Sequence, residues 1–136
     1  MDIHDLAQNT TFEEVVYVLW NGKLPTTAEL ETLKADLDGN RAIPEPALAL
    51  LRQFPQSAAS MDALQTATSL LGLYDPDAGD ESMEANRRKA LRLTAQMGTL
   101  VAAIDRLYKG DNSQPISRRA SKVLHLFIVV SMKSTL

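Results

Sequence analysis

The sequence predicts an all-α domain of about five helices. Three observations predict it. Apolar residues recur every three or four positions along most of the chain, most glycine and proline residues fall at or between the ends of these periodic stretches, and the same helix-start signal occurs twice. Because 136 residues suffice for one domain with a conventional core, we expect a single domain that a hydrophobic core stabilises without disulfide or metal cross-links.

The first two helices each begin with a threonine that is followed three residues later by a glutamate. In such a capping box the hydroxyl accepts the glutamate's backbone N–H, and the carboxylate accepts the threonine's N–H. Thr11 pairs with Glu14 in the first helix, and Thr26 pairs with Glu29 in the second. A glycine suited to ending a helix follows each of them, at Gly22 and Gly39.

The third and fourth helices carry weaker signals. Pro44 suits the first turn of the third helix, where its missing N–H would be unpaired in any case, and Phe54 and Pro55 close that helix. Ser60 is predicted to cap the fourth helix, which covers residues 61–73. The first and second helices are joined by a short connector, residues 23–25, and are expected to pack as an antiparallel or angled hairpin.

An acidic, turn-rich stretch, residues 74–80, separates the fourth helix from the fifth. Asp75, Asp77 and Asp80 are spaced loosely like a calcium-binding loop, but no glycine stands at the sixth position and no glutamate at the twelfth. We therefore expect a solvated loop rather than a metal site.

The longest periodic stretch, residues 84–109, predicts one helix about 39 Å long. Its larger apolar residues form one stripe: Leu93, Met97, Leu100, Ile104 and Leu107. Smaller residues form a second stripe on nearly the opposite side: Leu91, Ala95, Gly98 and Ala102. One arc is polar: Arg88, Arg92, Gln96, Thr99 and Arg106. We expect this helix to be covered on two sides, in part by a second copy of the chain.

The pattern changes beyond residue 110. A glycine, asparagine and proline-containing break is followed by a basic patch of Arg118, Arg119 and Lys122. Two interpretations of these basic side chains stay open: they contact phosphate groups of a nucleotide or of CoA, or they belong to a solvated tail. The apolar run 123–130 fits either a buried helical turn or a strand, because periodicity does not separate the two. We divide the chain into a helical domain, residues 1–116, and a divergent tail, residues 117–136.

Composition argues against several classes of protein. Fourteen basic residues are mixed with seventeen acidic ones, for a net charge of −3, which is not the charge pattern of a nucleic-acid-binding face. The absence of cysteine removes disulfides and thiolate metal ligands and fits a cytoplasmic protein. No signal peptide or membrane-spanning run is present. We therefore expect no nucleic acid, membrane or metal as a partner.

Only two histidines are available for acid–base or ligand chemistry, His4 and His125. His4 lies between Asp2 and Asp5, which is better interpreted as polar surface than as a metal or acid–base cluster. His125 has apolar neighbours on both sides, which favours a core position over a ligand role.

Several stretches in order resemble the citrate synthase family, which includes 2-methylcitrate synthases. Residues 2–7, DIHDLA, look like the family's DIxDLA, and residues 11–15 with 19–25, TFEEV and LWNGKLP, look like its TFEEV…LLWxGxLP. Residues 61–67, MDALQTA, are similar to its MDxLRTA, with Gln65 where many members have arginine. The match spans roughly residues 2–110 and corresponds to the amino-terminal part of the family.

The resemblance implies an all-helical enzyme that condenses an acyl-CoA with a 2-oxo acid, acetyl-CoA or propionyl-CoA with oxaloacetate, in the tricarboxylic acid cycle or the methylcitrate pathway. It also implies that the fourth and fifth helices build a homodimer interface. We assign seven residues to that interface: Leu64, Ala67, Leu71, Leu91, Ala95, Gly98 and Ala102. A glycine inside a helix lowers the stability of that helix by roughly 1 kcal/mol relative to alanine, so we expect a packing reason for Gly98.

The family's catalytic motifs, HGG and GHR, are absent from this sequence, and His125 matches the helix of the type FLHLL that precedes HGG. We therefore assign no catalytic and no cofactor-binding residue. We expect the truncated product of a broken synthase gene, inactive alone, which binds no cofactor and pairs with itself or with the missing carboxyl-terminal half. The alternative is a stand-alone helical dimerisation or interaction module without catalysis.

Overall fold

The computed structural model describes residues 9–110, and these residues form five α-helices and no strand. In chain order they are α1 (Phe12–Asn21), α2 (Thr27–Gly39), α3 (Glu45–Leu51), α4 (Ser60–Leu73) and α5 (Met83–Lys109). The all-α prediction is therefore confirmed. Several sequence predictions lie outside the described residues: those on His4 and its neighbours, the basic patch, the apolar run 123–130 with His125, and the tail.

Both predicted capping boxes are present. The Glu14 N–H donates to the Thr11 hydroxyl at 3.4 Å, and the Thr11 N–H donates to the Glu14 carboxylate at 2.6 Å. In α2 the same two bonds join Thr26 and Glu29, at 3.3 and 2.8 Å. Gly22 ends α1 with a φ of 72°, in the left-handed region that glycine adopts without steric cost.

Two helix starts differ from prediction. Pro44 precedes α3 as its N-cap and is not in its first turn, and no side chain caps that helix. Ser60 is the first residue of α4, whose N-cap is Ala59 with an extended backbone and no side-chain bond. The prediction that Ser60 caps α4 is wrong. Ala59 and Ser60 are both small, and helix periodicity does not indicate which of the two is the last residue before the helix.

The long helix α5 is the central element, and it separates two hydrophobic cores. Its carboxyl-terminal half contributes Leu100 and Ile104 to a cluster with α3 and α4 that includes Leu51, Ala67 and Leu71. The amino-terminal half contributes Ala95, with Leu91 packed alongside, to a second cluster with α1 and α2: Val16, Leu33 and Leu37. The two stripes predicted from spacing therefore face two different helix pairs.

Two positions on α5 depart from the predicted stripes. Leu93, placed in the large apolar stripe, is 41% exposed, whereas Thr99, placed in the polar arc, is only 6% exposed. Both lie within their stripes by angle, so helix periodicity does not predict which neighbouring helices cover each position. No helix among residues 9–110 is long and apolar enough to cross a bilayer.

Candidate functional site

The seven residues assigned to a dimer interface lie mainly inside the single chain. Ala67 and Leu71 are 1% and 6% exposed in the core with α3, and Leu64 packs against that core. Ala95 is 8% exposed in the core with α1 and α2, beside Leu91. Gly98 is buried and Ala102 is half-buried. Contacts within the chain therefore account for the apolar character of five of the seven, and their role in a dimer stays a prediction.

Three large apolar side chains are exposed at the end of the α4–α5 hairpin where the two helices are joined. Leu73 at the end of α4 is 79% exposed, Tyr74 is 40% exposed, and Met83 at the start of α5 is 80% exposed. We call these three residues the hairpin-end patch. Their side chains remain open to another surface.

A cluster of two arginines and two aspartates fixes the loop between α4 and α5. Arg92 donates from Nε and Nη2 to the Asp75 carboxylate at 3.0 and 2.7 Å, and its Nη2 also donates to Asp77. Arg88 forms the same two-pronged pair with Asp77, at 3.0 and 2.8 Å. The Asp77 N–H donates back to Asp75 at 2.8 Å. Such bidentate pairs fix orientation as well as charge.

Two aspartates of the loop are largely covered, although most of the loop is exposed, as its sequence predicts. The Asp75, Asp77 and Arg92 side chains are 16%, 18% and 18% exposed. Hydrogen bonds from Arg92 hold the pKa of Asp75 below its ordinary value, and hydrogen bonds from Arg88 and Arg92 hold the pKa of Asp77 well below its ordinary value. Both carboxylates therefore serve as ion-pair partners of Arg88 and Arg92.

A signal for this cluster was present in the sequence. Arg88 and Arg92 are four residues apart on one face of α5, and the acidic loop directly precedes that helix. The composition of the loop alone does not predict the pairing, because the cations come from the following helix.

A groove lies between α1, α2 and the first turns of α5. Tyr17, Trp20, Leu33 and Leu91 contribute its apolar lining. At its edge the Lys23 ammonium donates to Glu29 at 2.8 Å, and Tyr17 also hydrogen-bonds to Glu29. The hydrogen bonds from Lys23, from the Thr26 N–H and from Tyr17, in decreasing order of effect, lower the pKa of Glu29 to about 2. Across the groove Arg87 of α5 donates to Asn21 of α1 at 2.6 Å.

The described residues hold no arrangement typical of acid–base catalysis. A general base works best with a pKa near the working pH, whereas the pKa values of Glu29, Asp75 and Asp77 are all shifted downward, away from neutrality. Within residues 9–110 no group of three His, Cys, Asp or Glu side chains is placed to hold a metal ion. The two histidines lie outside this part of the chain.

Comparison with known proteins identifies the fold and the family. A family model described as "Citrate synthase, C-terminal domain" matches residues 1–133. The chain belongs to the citrate synthase family. The match also includes residues 117–133. The division of the chain into a helical domain, residues 1–116, and a divergent tail, residues 117–136, therefore stays a prediction.

Relatives within the citrate synthase family include enzymes named for two different products. The chain is 43% identical over 110 residues to the citrate synthase of Deinococcus radiodurans, a match that covers 81% of this chain and 29% of that protein. It is 40% identical over 108 residues to a 2-methylcitrate synthase of Mycobacterium tuberculosis, covering 79% and 27%. The chain thus spans about three tenths of the length of these relatives.

The solved structures agree with the sequence relatives. The crystal structure of citrate synthase from Pyrobaculum aerophilum matches with a TM-score of 0.72 and 30% identity, over 83% of this chain and 30% of that one. The helical arrangement of residues 9–110 is therefore one found in a citrate synthase.

Proposed function

We propose that this chain serves in citrate synthase-type condensation, the joining of acetyl-CoA or propionyl-CoA to oxaloacetate, as one helical part of the complete enzyme. Identity of about 40% to both a citrate synthase and a 2-methylcitrate synthase carries the proposal. Because the two relatives match at similar identity, the acyl-CoA is left as either of the two.

The contribution of this part is proposed to be structural. Removing a proton from an acyl-CoA and holding the enolate oxygen require a base and a hydrogen-bond donor close together. In the described region the carboxylates of lowest pKa are bound in capping and ion-pair contacts that stabilise α2 and the loop before α5. The reacting groups are proposed to come from another part of the enzyme, in the same or a second polypeptide.

The test is a complementation assay. The chain is co-expressed with a polypeptide that contains the remaining part of the Deinococcus radiodurans citrate synthase, and release of the CoA thiol is followed with oxaloacetate and either acyl-CoA. We expect no release from either polypeptide alone and release from the pair. Turnover by this chain alone would contradict the structural role, and a silent pair that still co-purifies would contradict its part in condensation.

A second candidate is an interaction module without catalysis, proposed to be cytoplasmic. The exposed hairpin-end patch, together with the α4 and α5 residues assigned to a dimer interface, supports self-association or pairing with an intact homologue. In the same assay the module would bind the full-length Deinococcus radiodurans enzyme and leave its rate unchanged. Failure to bind either itself or that enzyme would contradict this candidate.

A further inference from the structure

The helix α1 ends on a chemically labile pair of residues. Asn21 is the last residue of the helix, and Gly22 is its C-cap. Asparagine is a labile residue, because the backbone nitrogen of the next residue can attack its carboxamide carbon and start deamidation. A following glycine hinders this attack least, since it has no Cβ beside the attacking nitrogen. Both residues are exposed, so water reaches them, and the pair has the composition and the exposure of a deamidation site.

Three hydrogen bonds oppose the reaction in the folded chain. The Asn21 Nδ2 donates to the Tyr17 carbonyl oxygen at 2.9 Å, and the Asn21 Oδ1 accepts from Arg87 Nη2 at 2.6 Å. These partners fix the orientation of the carboxamide, because a carbonyl only accepts and a guanidinium only donates. The attacking atom is also held, since the Gly22 N–H donates to the Val18 carbonyl oxygen at 2.7 Å. The carboxamide must turn and the Gly22 nitrogen must lose its proton before the two can react, so all three bonds must open.

One of these three bonds reaches outside α1. The bonds to Tyr17 and Val18 lie within the last turn of the helix, and helix ends open locally without unfolding of the whole protein. The bond from Arg87 joins that turn to α5, so the turn opens only when this contact between the two helices breaks as well. Arg87 therefore controls how often Asn21 and Gly22 are free to react.

We propose that Asn21 is a site of spontaneous deamidation and that Arg87 limits its rate. When the last turn of α1 opens, the Gly22 nitrogen loses its proton and forms a bond to Asn21 Cγ. The Cγ–Nδ2 bond breaks, and Nδ2 leaves as ammonia with the added proton. Water then opens the resulting succinimide ring: cleavage between Cγ and the ring nitrogen gives aspartate, and cleavage between the backbone carbonyl carbon and that nitrogen gives isoaspartate. Overall, water is consumed, ammonia is released, and a carboxylate replaces the amide.

Either product alters the end of α1. A carboxylate does not donate to the Tyr17 carbonyl oxygen, and its negative charge lies at a helix carboxyl terminus, where anions are unfavourable. Isoaspartate also inserts a methylene group into the main chain, which changes the backbone path into the left-handed cap at Gly22. The site is independent of the proposed condensation function, since the reaction needs no acyl-CoA and no second polypeptide.

The test follows Asn21 by peptide mass spectrometry while the complete 136-residue chain is incubated in mildly alkaline buffer. Asn40 is the internal control, because its Nδ2 also donates to a helix carbonyl, that of Asp36 at 2.8 Å, but Arg41 follows it instead of glycine. We expect the mass gain of deamidation at Asn21 and none at Asn40 over the same time. In guanidinium chloride, which unfolds the chain, deamidation at Asn21 should be more than about fivefold faster, because no hydrogen bond then opposes it.

Variants of Arg87 test its part in the proposal. Arg87→Met keeps much of the apolar stem and removes the donor, so deamidation at Asn21 should be about fivefold faster, as expected for the loss of one ordinary hydrogen bond. Arg52→Met is the matched control, because Arg52 is also an exposed arginine but lies at the end of α3, and it should leave the rate at Asn21 unchanged. Arg87→Lys keeps the charge and should give a smaller increase; it replaces the methionine variant if that variant does not fold.

Three results would overturn the proposal. The first is no mass gain at Asn21 even in the unfolded chain, and the second is the same rate in the folded and the unfolded chain. The third is a rate in the folded Arg87 variant that does not exceed the rate in Arg52→Met.

Discussion

Arg92 is the residue on which the charged cluster depends most, since it donates to both aspartates. Changing it to methionine keeps much of its apolar stem and leaves two largely covered carboxylates without their shared cation. Hydrogen bonds to charged groups are worth more than neutral ones, so we expect Arg92→Met to lower the free energy of unfolding by about 2 kcal/mol. Urea denaturation followed by circular dichroism measures it.

The matched control is Arg52→Met, which removes one ion pair whose partners, Arg52 and Glu45, are 56% and 72% exposed. Exposed pairs contribute little, so its effect should stay below about 1 kcal/mol. Equal effects of the two variants would contradict a special role for the cluster.

Glu29 makes stability depend on pH in a defined range. Its folded pKa of about 2 lies below its ordinary 4.5, so the stabilisation is complete above about pH 4.5 and is lost as the pH falls toward 2. We expect the difference in unfolding free energy between the unmodified chain and Glu29→Gln to be constant at neutral pH and to shrink below pH 4.5. Denaturation curves at a series of pH values give this difference.

Lys23→Met provides the control for the pH prediction. It removes the largest cause of the lowered pKa of Glu29 and leaves the hydrogen bond from the Thr26 N–H, so the pH range of the loss should narrow and move upward. The explanation fails if Lys23→Met and the unmodified chain lose stability over the same range.

At the scale of the helix, α2 has a side-chain cap and α4 has none, and single substitutions measure what this difference contributes to stability. Thr26→Ala removes a hydroxyl that accepts the Glu29 N–H and should cost about 1 kcal/mol. Ser60→Ala should change stability by less than about 0.5 kcal/mol, because Ser60 is not a cap. Ala59→Ser should stabilise by about 1 kcal/mol, since it supplies the missing acceptor. Thermal denaturation compares the three, and a loss in Ser60→Ala as large as that in Thr26→Ala would contradict the observed boundary.

The elements were predictable where the responsible contact is local. A capping box involves residues three apart, and the stripes of α5 follow from helix geometry, so both could be predicted from the sequence. The helices against which each stripe packs could not be predicted from the sequence. Small residues such as Ala95 allow close approach by any helix, so the sequence did not distinguish packing within the chain from packing between copies. The pairing of Arg92 with Asp75 likewise depends on how the loop folds back.

At the scale of the whole molecule, the hairpin-end patch is the part of the surface that we expect a second copy of the chain to contact. A stable dimer buries about 800 Å² on each partner, more than three side chains supply, so a dimer contact would have to extend along α4 and α5 to residues such as Ala102. The patch would then lie at the end of a longer interface. Its two most exposed members, Leu73 and Met83, are the residues to change, because neither contributes to the buried core.

We expect the double variant Leu73→Ser with Met83→Ser to shift the chain from dimer toward monomer in sedimentation velocity while its helical circular dichroism is unchanged. Leu19→Ser is the control, because Leu19 is a comparable 76% exposed but lies on α1, away from the hairpin. Loss of association in the control as well would indicate non-specific apolar contact. A dimer that survives the double variant would place the interface elsewhere and remove the hairpin end from it.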